Sequence, residues 1–156
     1  INDIKITRAP ASATIVSSAG SATLPIFSRQ RIVSFEQGTP REKVVGTIDW
    51  SLDKIGATAR ASYYGDVTQP NNTGFAQDDI HTGRHTIFDL EARYTVTRTV
   101  TLAVGANNLL DTYPDYVRLT SSRGVALNST GLVGFPYYSP FGFNGRYVYG
   151  RIGVTW

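Results

Sequence analysis

The sequence predicts an all-β chain of about six antiparallel strands with the pattern of a transmembrane β-barrel wall. Three observations carry this. Apolar and polar residues alternate with period two in about six places, and each long run has roughly the ten residues that a tilted strand needs to cross a bilayer core. Connections between the runs switch between minimal turns and long loops rich in Gly, Pro, Ser and Asn. No stretch approaches the ~18 uninterrupted apolar residues of a spanning helix, so membrane residence needs strands, which satisfy their backbone groups against neighbours.

The first predicted strand is short, with Ile4 and Ile6 facing one way and Asp3, Lys5 and Thr7 the other. The second begins at Lys43 and sets Val44, Gly46, Ile48, Trp50 and Leu52 opposite Lys43, Thr47, Asp49 and Ser51. After a tight turn at Asp53-Lys54, the third places Ile55, Ala57, Ala59, Ala61 and Tyr63 against Thr58, Arg60, Ser62 and Tyr64. The fourth alternates Phe88, Leu90, Ala92, Tyr94 and Val96 with Asp89, Glu91, Arg93 and Thr95. A turn at Thr97-Arg98 leads to the fifth, Val100, Leu102, Val104 and Ala106 against Thr99, Thr101 and Asn107. The sixth runs from Tyr147 to Trp156, with Val148, Gly150, Ile152, Val154 and Trp156 on one side and Tyr147, Tyr149, Arg151 and Thr155 on the other.

The loops near 9–40, 66–84 and 110–144 are long, whereas 53–54 and 97–98 are minimal. Outer-membrane barrels share this asymmetry, with short periplasmic turns and long external loops. It gives the chain a direction, and puts the C-terminus on the periplasmic side. A soluble β-sandwich or lipocalin-like barrel would alternate in the same way, because a solvated outer face hosts mid-strand charges equally well.

Composition narrows the function classes. Charged residues are 17% of the chain against ~25% in soluble domains, which fits a sheet with one apolar face. The net charge is +3, but Arg and Lys are scattered and form no basic helix or aromatic-basic patch, so nucleic acid is not an expected partner. With no cysteine, disulfides and thiolate metal sites are excluded. No nucleophile motif, P-loop or dinucleotide fingerprint occurs, and an enzyme is not expected.

Two motifs near the C-terminal end carry a family resemblance. Asn107-Asn108-Leu109-Leu110-Asp111 followed by Tyr113-Pro114, and Ser139-Pro140-Phe141-Gly142-Phe143-Asn144-Gly145-Arg146-Tyr147 leading into the last strand, resemble the closing elements of TonB-dependent outer-membrane receptors. The stretch Phe35 to Lys43 resembles the approach to one of that family's late strands. The resemblance implies a bacterial outer-membrane barrel of about 22 strands with a plug in its lumen. It also implies import of a siderophore or other scarce small-molecule nutrient, energised through the TonB complex. By that reading residues 1–156 are the C-terminal barrel segment, without the plug domain, and Ile1 marks a cut into a longer barrel. The partners implied are outer-membrane lipid, the remainder of the barrel and plug, the TonB complex, the barrel-assembly machinery and the ligand. A structural or adhesive outer-membrane barrel without transport is the alternative.

Residue roles follow from the same resemblance. Tyr147, Ile152, Val154 and Trp156 resemble the terminal signal read by the assembly machinery, Trp156 also suiting the headgroup layer. Arg60, Asp89, Glu91, Arg93 and Arg151 are the expected lumen-facing polar groups, suited to salt bridges with a plug. Arg29, Arg31, His81, Arg84, Arg123, Tyr137 and Tyr138 lie in or beside the long loops as candidate extracellular ligand contacts. His81 and His85 with Asp78 and Asp79 lack good metal-ligand spacing, and no cofactor is expected. Asn107, Asn108 and Asp111 are expected to staple a loop through side chain to backbone bonds.

Overall fold

Long alternating runs prescribe extended backbone, and their apolar halves can be gathered on one side only if the strands pair in register. The computed structural model, which describes residues 1, 3–8, 13–17, 20–24, 27–71, 74–117 and 134–156, has this arrangement. Its elements are β1 (Ala13–Ser17), β2 (Gly20–Leu24), α1 (Arg29–Gln37), β3 (Lys43–Leu52), β4 (Ile55–Tyr64), β5 (Val67–Gln69), a 3-10 turn (Ala76–Asp78), β6 (Ile80–Thr82), β7 (His85–Thr95), β8 (Val100–Asn107) and β9 (Tyr147–Val154). No described helix is long and apolar enough to cross a membrane, which says nothing about strands. The chain divides into two compact units: Ile1–Arg41 with Asp66–Thr82 and Asp115–Pro140, and Glu42–Gly65 with Gly83–Pro114 and Phe141–Trp156.

The second unit holds an antiparallel sheet in the order β3-β4-β7-β8-β9. β3 and β4 pair along their whole length, from Lys43↔Tyr64 to Leu52↔Ile55, and Asp53 opens the two-residue turn at φ 51°. A left-handed first turn position matches the twist of a hairpin, and Asp tolerates it better than a branched residue would. At the β7–β8 connection the Thr97 hydroxyl accepts from the backbone N–H groups of Thr99 and Val100, closing a four-residue link. Val100 pairs with Val154, so both short turns and the end of β9 share one end of the sheet, as expected. Among the described residues the sheet is open, with β3 and β9 as its edges.

The register sorts side chains as the alternation requires. One face carries Val44, Ile48, Trp50 and Leu52 of β3, Ile55 and three alanines of β4, Phe88, Leu90 and Tyr94 of β7, Leu102 and Val104 of β8, and Ile152 and Val154 of β9. No Asp, Glu, Lys or Arg stands in those rows. The face is also uncovered: Ile48, Val104 and Ile152 are 72%, 58% and 70% exposed. Of its aromatic rings, Tyr63 sits toward the long loops and Tyr94 toward the short turns, while Phe88 and Trp50 stand in the rows on either side of the middle one. Tyr63 lies eight positions along β4 from Ile55, which faces Tyr94. At ~3.4 Å per residue that is roughly 27 Å.

The first unit is built from the long connections and has a small core of its own. β5 and β6 pair through Val67↔Thr82 and Gln69↔Ile80, and Val67, Ile80 and Thr82 are almost fully buried. β1 pairs with β2 from Ala13↔Leu24 to Ser17↔Gly20. Ser28 caps α1 by accepting from the Arg31 N–H at 3.4 Å, and Gly38 ends it by donating to the Ser34 carbonyl.

Three expectations need correcting. Residues 3–8 are not a strand: the Ile6 N–H donates to the Glu36 carboxylate at 2.9 Å instead of to a ladder, two apolar positions being too few to hold one. The main sheet therefore has five described strands rather than six. The last ladder stops at Val154, although the Thr155 N–H still reaches the Thr99 carbonyl, and β7 starts at His85, earlier than Phe88.

Candidate functional site

The face opposite the apolar one gathers all five expected lumen-facing residues. Arg60, Asp89, Glu91, Arg93 and Arg151 line one groove of about 410 Å³ with Thr47, Asp49, Thr58, Asn107 and Tyr149. Its floor is a chain of charge-assisted hydrogen bonds running across the sheet. Arg93 donates to the Asp49 carboxylate at 2.5 Å and to the Thr58 hydroxyl at 2.9 Å, and Thr58 donates to the other Asp49 oxygen. Glu91, 3.8 Å from Arg93, accepts from Arg151 at 2.9 Å and from the Tyr149 hydroxyl at 3.0 Å.

That chain steps from β7 to β9 over β8, which presents only Ala103 and Gly105 between them. Small residues are required there. A Cβ on Gly105 would come within 2.5 Å of the Tyr149 ring, so Tyr149 lies across the glycine to reach Glu91. Exposed pairs contribute little stability singly, and a network held on a rigid sheet contributes more.

The two C-terminal motifs interlock at the long-loop end of the same sheet. Asn108, at φ 51° and buried, donates from its side chain to the Thr112 carbonyl at 2.7 Å and accepts from the Thr112 N–H at 2.8 Å. Its own N–H donates to Asp89 at 2.9 Å, and the Leu109 N–H donates to the Phe88 carbonyl. Asp111 accepts from the Arg146 N–H at 2.7 Å, while the Arg146 guanidinium donates to the Leu109 carbonyl at 3.2 Å. Gly145, at φ 69°, leaves room for the Tyr113 hydroxyl, which any Cβ would strike. Loop stapling is thus what the geometry displays for Asn108 and Asp111, with Asp111 extending it to the start of β9, whereas the Asn107 side chain makes no such bond to the described residues.

The candidate ligand contacts are distributed unevenly. In the first unit the Arg29 guanidinium grips the buried Asp79 carboxylate in a two-pronged ion pair, with Asp79 also accepting from the Asn71 N–H at 3.0 Å. Gln30 and Asn71 reinforce the clasp through backbone carbonyls. Tyr138 shares a hydrogen bond with Ser34, His81 with Thr68, and the Gln69 amide oxygen accepts from the Tyr137 and Tyr138 N–H groups. Arg29 and Tyr138 therefore hold the unit together, while Arg31 and Tyr137 are exposed. Arg84 belongs to the second unit, and Arg123 lies outside the described residues. Among the described residues no three His, Asp or Glu side chains converge as a metal site.

Of the expected terminal signal, Ile152 and Val154 stand on the apolar face, whereas Tyr147 stands on the opposite one, stacked on Tyr149 with ring centroids 6.2 Å apart. Trp156 lies fully exposed beyond the ladder.

Burial alone would raise the Asp79 pKa, but hydrogen bonds from Arg29 and Asn71 and the Arg29 charge outweigh it and hold the carboxyl below its usual range. The stability this gives is fully present above the ordinary carboxylate value of about 4 and is lost as pH falls through the depressed native value. We expect the Asn71 amide to keep its hydrogen-exchange protection, corrected for intrinsic rate, from neutrality down to about pH 4 and to lose it only as pH falls further, through the depressed native value of Asp79. Loss between pH 5 and 7 would contradict the clasp.

No family model matches the sequence, and no curated protein matches it. Solved structures do. A variant of the ferric enterobactin receptor PfeA from Pseudomonas aeruginosa is similar with a TM-score of 0.55 and 18% identity over 92% of this chain. A double variant of that receptor gives 0.54 at 18% identity over 92%, and another variant, in complex with enterobactin, gives 0.52 at 18% over 92%. This chain spans 21% of the length of each of them. At that identity the likeness is one of fold: an antiparallel sheet like part of the receptor's barrel.

Proposed function

We propose that the chain is wall from the C-terminal part of a TonB-dependent outer-membrane receptor, and that the whole protein imports a scarce small molecule unchanged. The observation that carries this is the two-faced sheet. A charge-free apolar face with rings toward both ends is what lipid requires of a barrel exterior about 25 Å tall. A soluble monomer rarely exposes an apolar patch beyond a few hundred Å². The charged groove on the other side suits a watered or plugged lumen.

The two described edges call for neighbouring strands, because unpaired backbone groups in lipid cost several kcal/mol each. The remainder of the barrel supplies them in this reading. A plug would meet Arg60, Asp89 and Arg151. The exposed end of β9, with Ile152, Val154 and Trp156, would be offered to the barrel-assembly machinery. The fold likeness to a ferric enterobactin receptor supports a siderophore as the first ligand class to test.

The test is growth-linked uptake by the full-length protein of a panel of ferric siderophores, cobalamin and saccharides, with the TonB system intact or disabled. Uptake of a panel member only when TonB is intact is the expected result. Cell adhesion without uptake of any member, or uptake indifferent to TonB, would sink the receptor reading.

A further inference from the structure

The long-loop end of the charged face holds a second hollow, about 220 Å³, that the salt-bridge network does not fill. We infer that it is a subsite for one ring of an uncharged polyhydroxylated ligand, a pyranose or similar polyol. The inference rests on the receptor reading and names the chemistry of one group of its ligand.

Side-chain chemistry selects this class. Asn107, Asn144, Thr112 and Ser62 line the hollow, and none of their side chains makes a hydrogen bond to the described residues. Asn offers both donors and an acceptor, and hydroxyls offer both roles, as a polyol does. Asp89 lines it too, with one carboxylate oxygen taken by the Asn108 N–H and the other available. Tyr64 and Phe141 form an aromatic wall, their rings 5.8 Å apart, with His85 packed against Phe141 at 5.3 Å.

Charge removes the competitors. No Arg or Lys lines the hollow, and Asp89 would repel an anion, so a phosphate or carboxylate ligand is disfavoured here. An ammonium group would have to share the Tyr64 ring with Lys43, whose Nζ already sits 5.1 Å from the ring centre. One carboxylate is too few for a hard cation, which takes about six oxygens. A purely apolar group would strand the amides and hydroxyls without partners. The volume lies below the ~300–1,000 Å³ of pockets that take whole drug-sized ligands, so one ring is the fitting size. Asp89 and Asn107 line both this hollow and the adjoining groove, which gives the ring a polar route onward.

The test is saturation-transfer NMR and calorimetry on the full-length protein in detergent, with methyl glucoside, methyl galactoside and methyl mannoside as probes and glucose 6-phosphate as the charged comparison. We expect at least one glycoside to bind, the phosphate to bind more weakly, and Asn107→Ala and Asp89→Asn each to weaken the glycoside by at least about fivefold. Asp89→Asn keeps an oxygen to accept from Asn108, and circular dichroism checks that both variants fold. No glycoside binding, or binding unchanged in both folded variants, would overturn the subsite. Binding is read without transport, so energised uptake of another ligand alongside absent glycoside binding overturns the subsite and leaves the receptor reading standing. Glycoside binding without energised uptake does the reverse.

Discussion

Replacing Leu90 by Arg should destabilise the folded sheet in a lipid bilayer by about 2–4 kcal/mol. Leu90 lies in the middle row of the apolar face, level with Ile48, Ala59, Ala106 and Val148. A guanidinium in that row is four positions along β7 from Tyr94 and, through Ala59, four along β4 from Tyr63, so it must snorkel or draw in water. Val45, one residue from the same face in alternation but on the charged side with Ser62, is the internal control. Val45→Arg should cost less than about 1 kcal/mol, since side chains facing an aqueous lumen tolerate charge. Reversible unfolding by denaturant in vesicles measures both. If the two substitutions cost the same, the apolar face does not meet lipid, and a soluble sandwich with a covered face becomes the better account.

That contrast depends on a parity legible in the amino-acid order alone. Strand side chains have period two, so a run such as Phe88 to Thr95 decides which residues travel together. Asp89, Glu91 and Arg93 share a face by that count, and they line one groove in the folded sheet. Turn chemistry then sets the register: a two-residue link at Asp53-Lys54 allows only the pairing Leu52↔Ile55. What parity cannot show is contact across distance in sequence. Arg29 and Asp79 are fifty residues apart, and nothing local marks Arg29 as a clasp rather than a free cation.

The shorter elements escape sequence reasoning for a related cause. β5 and β6 have three residues each, below the length at which alternation can be distinguished from chance. They are held by burial of Val67 and Ile80, a tertiary effect. The helix α1 does leave a local signal, with Ser28 before it and Gly38 after it as cap residues. Its interior, Arg29 to Gln37, has no clear apolar stripe, so the caps stand alone. The false strand at residues 3–7 shows the converse, alternation over too short a run to build a ladder.

Asn108→Ala should be the most damaging single change at the long-loop end, costing about 2–4 kcal/mol from two sources. The first is the paired hydrogen bonds with Thr112, which leave a half-buried carbonyl and N–H without that partner when the amide is removed. The second is backbone strain, since Asn108 sits at φ 51°, where Ala is disfavoured by roughly 1 kcal/mol and Gly is not. Asn108→Gly therefore separates the two, and should cost about 1 kcal/mol less than Asn108→Ala. The damage should spread beyond the turn. Asp111 is positioned by its N–H bond to the Asn108 carbonyl, and its carboxylate in turn holds the Arg146 N–H at the start of β9. Hydrogen exchange at Arg146 should accelerate in Asn108→Ala and in Asp111→Ala alike, while the β3–β4 ladder stays protected. Equal protection of Arg146 in wild type and both variants would mean that the two motifs merely lie side by side.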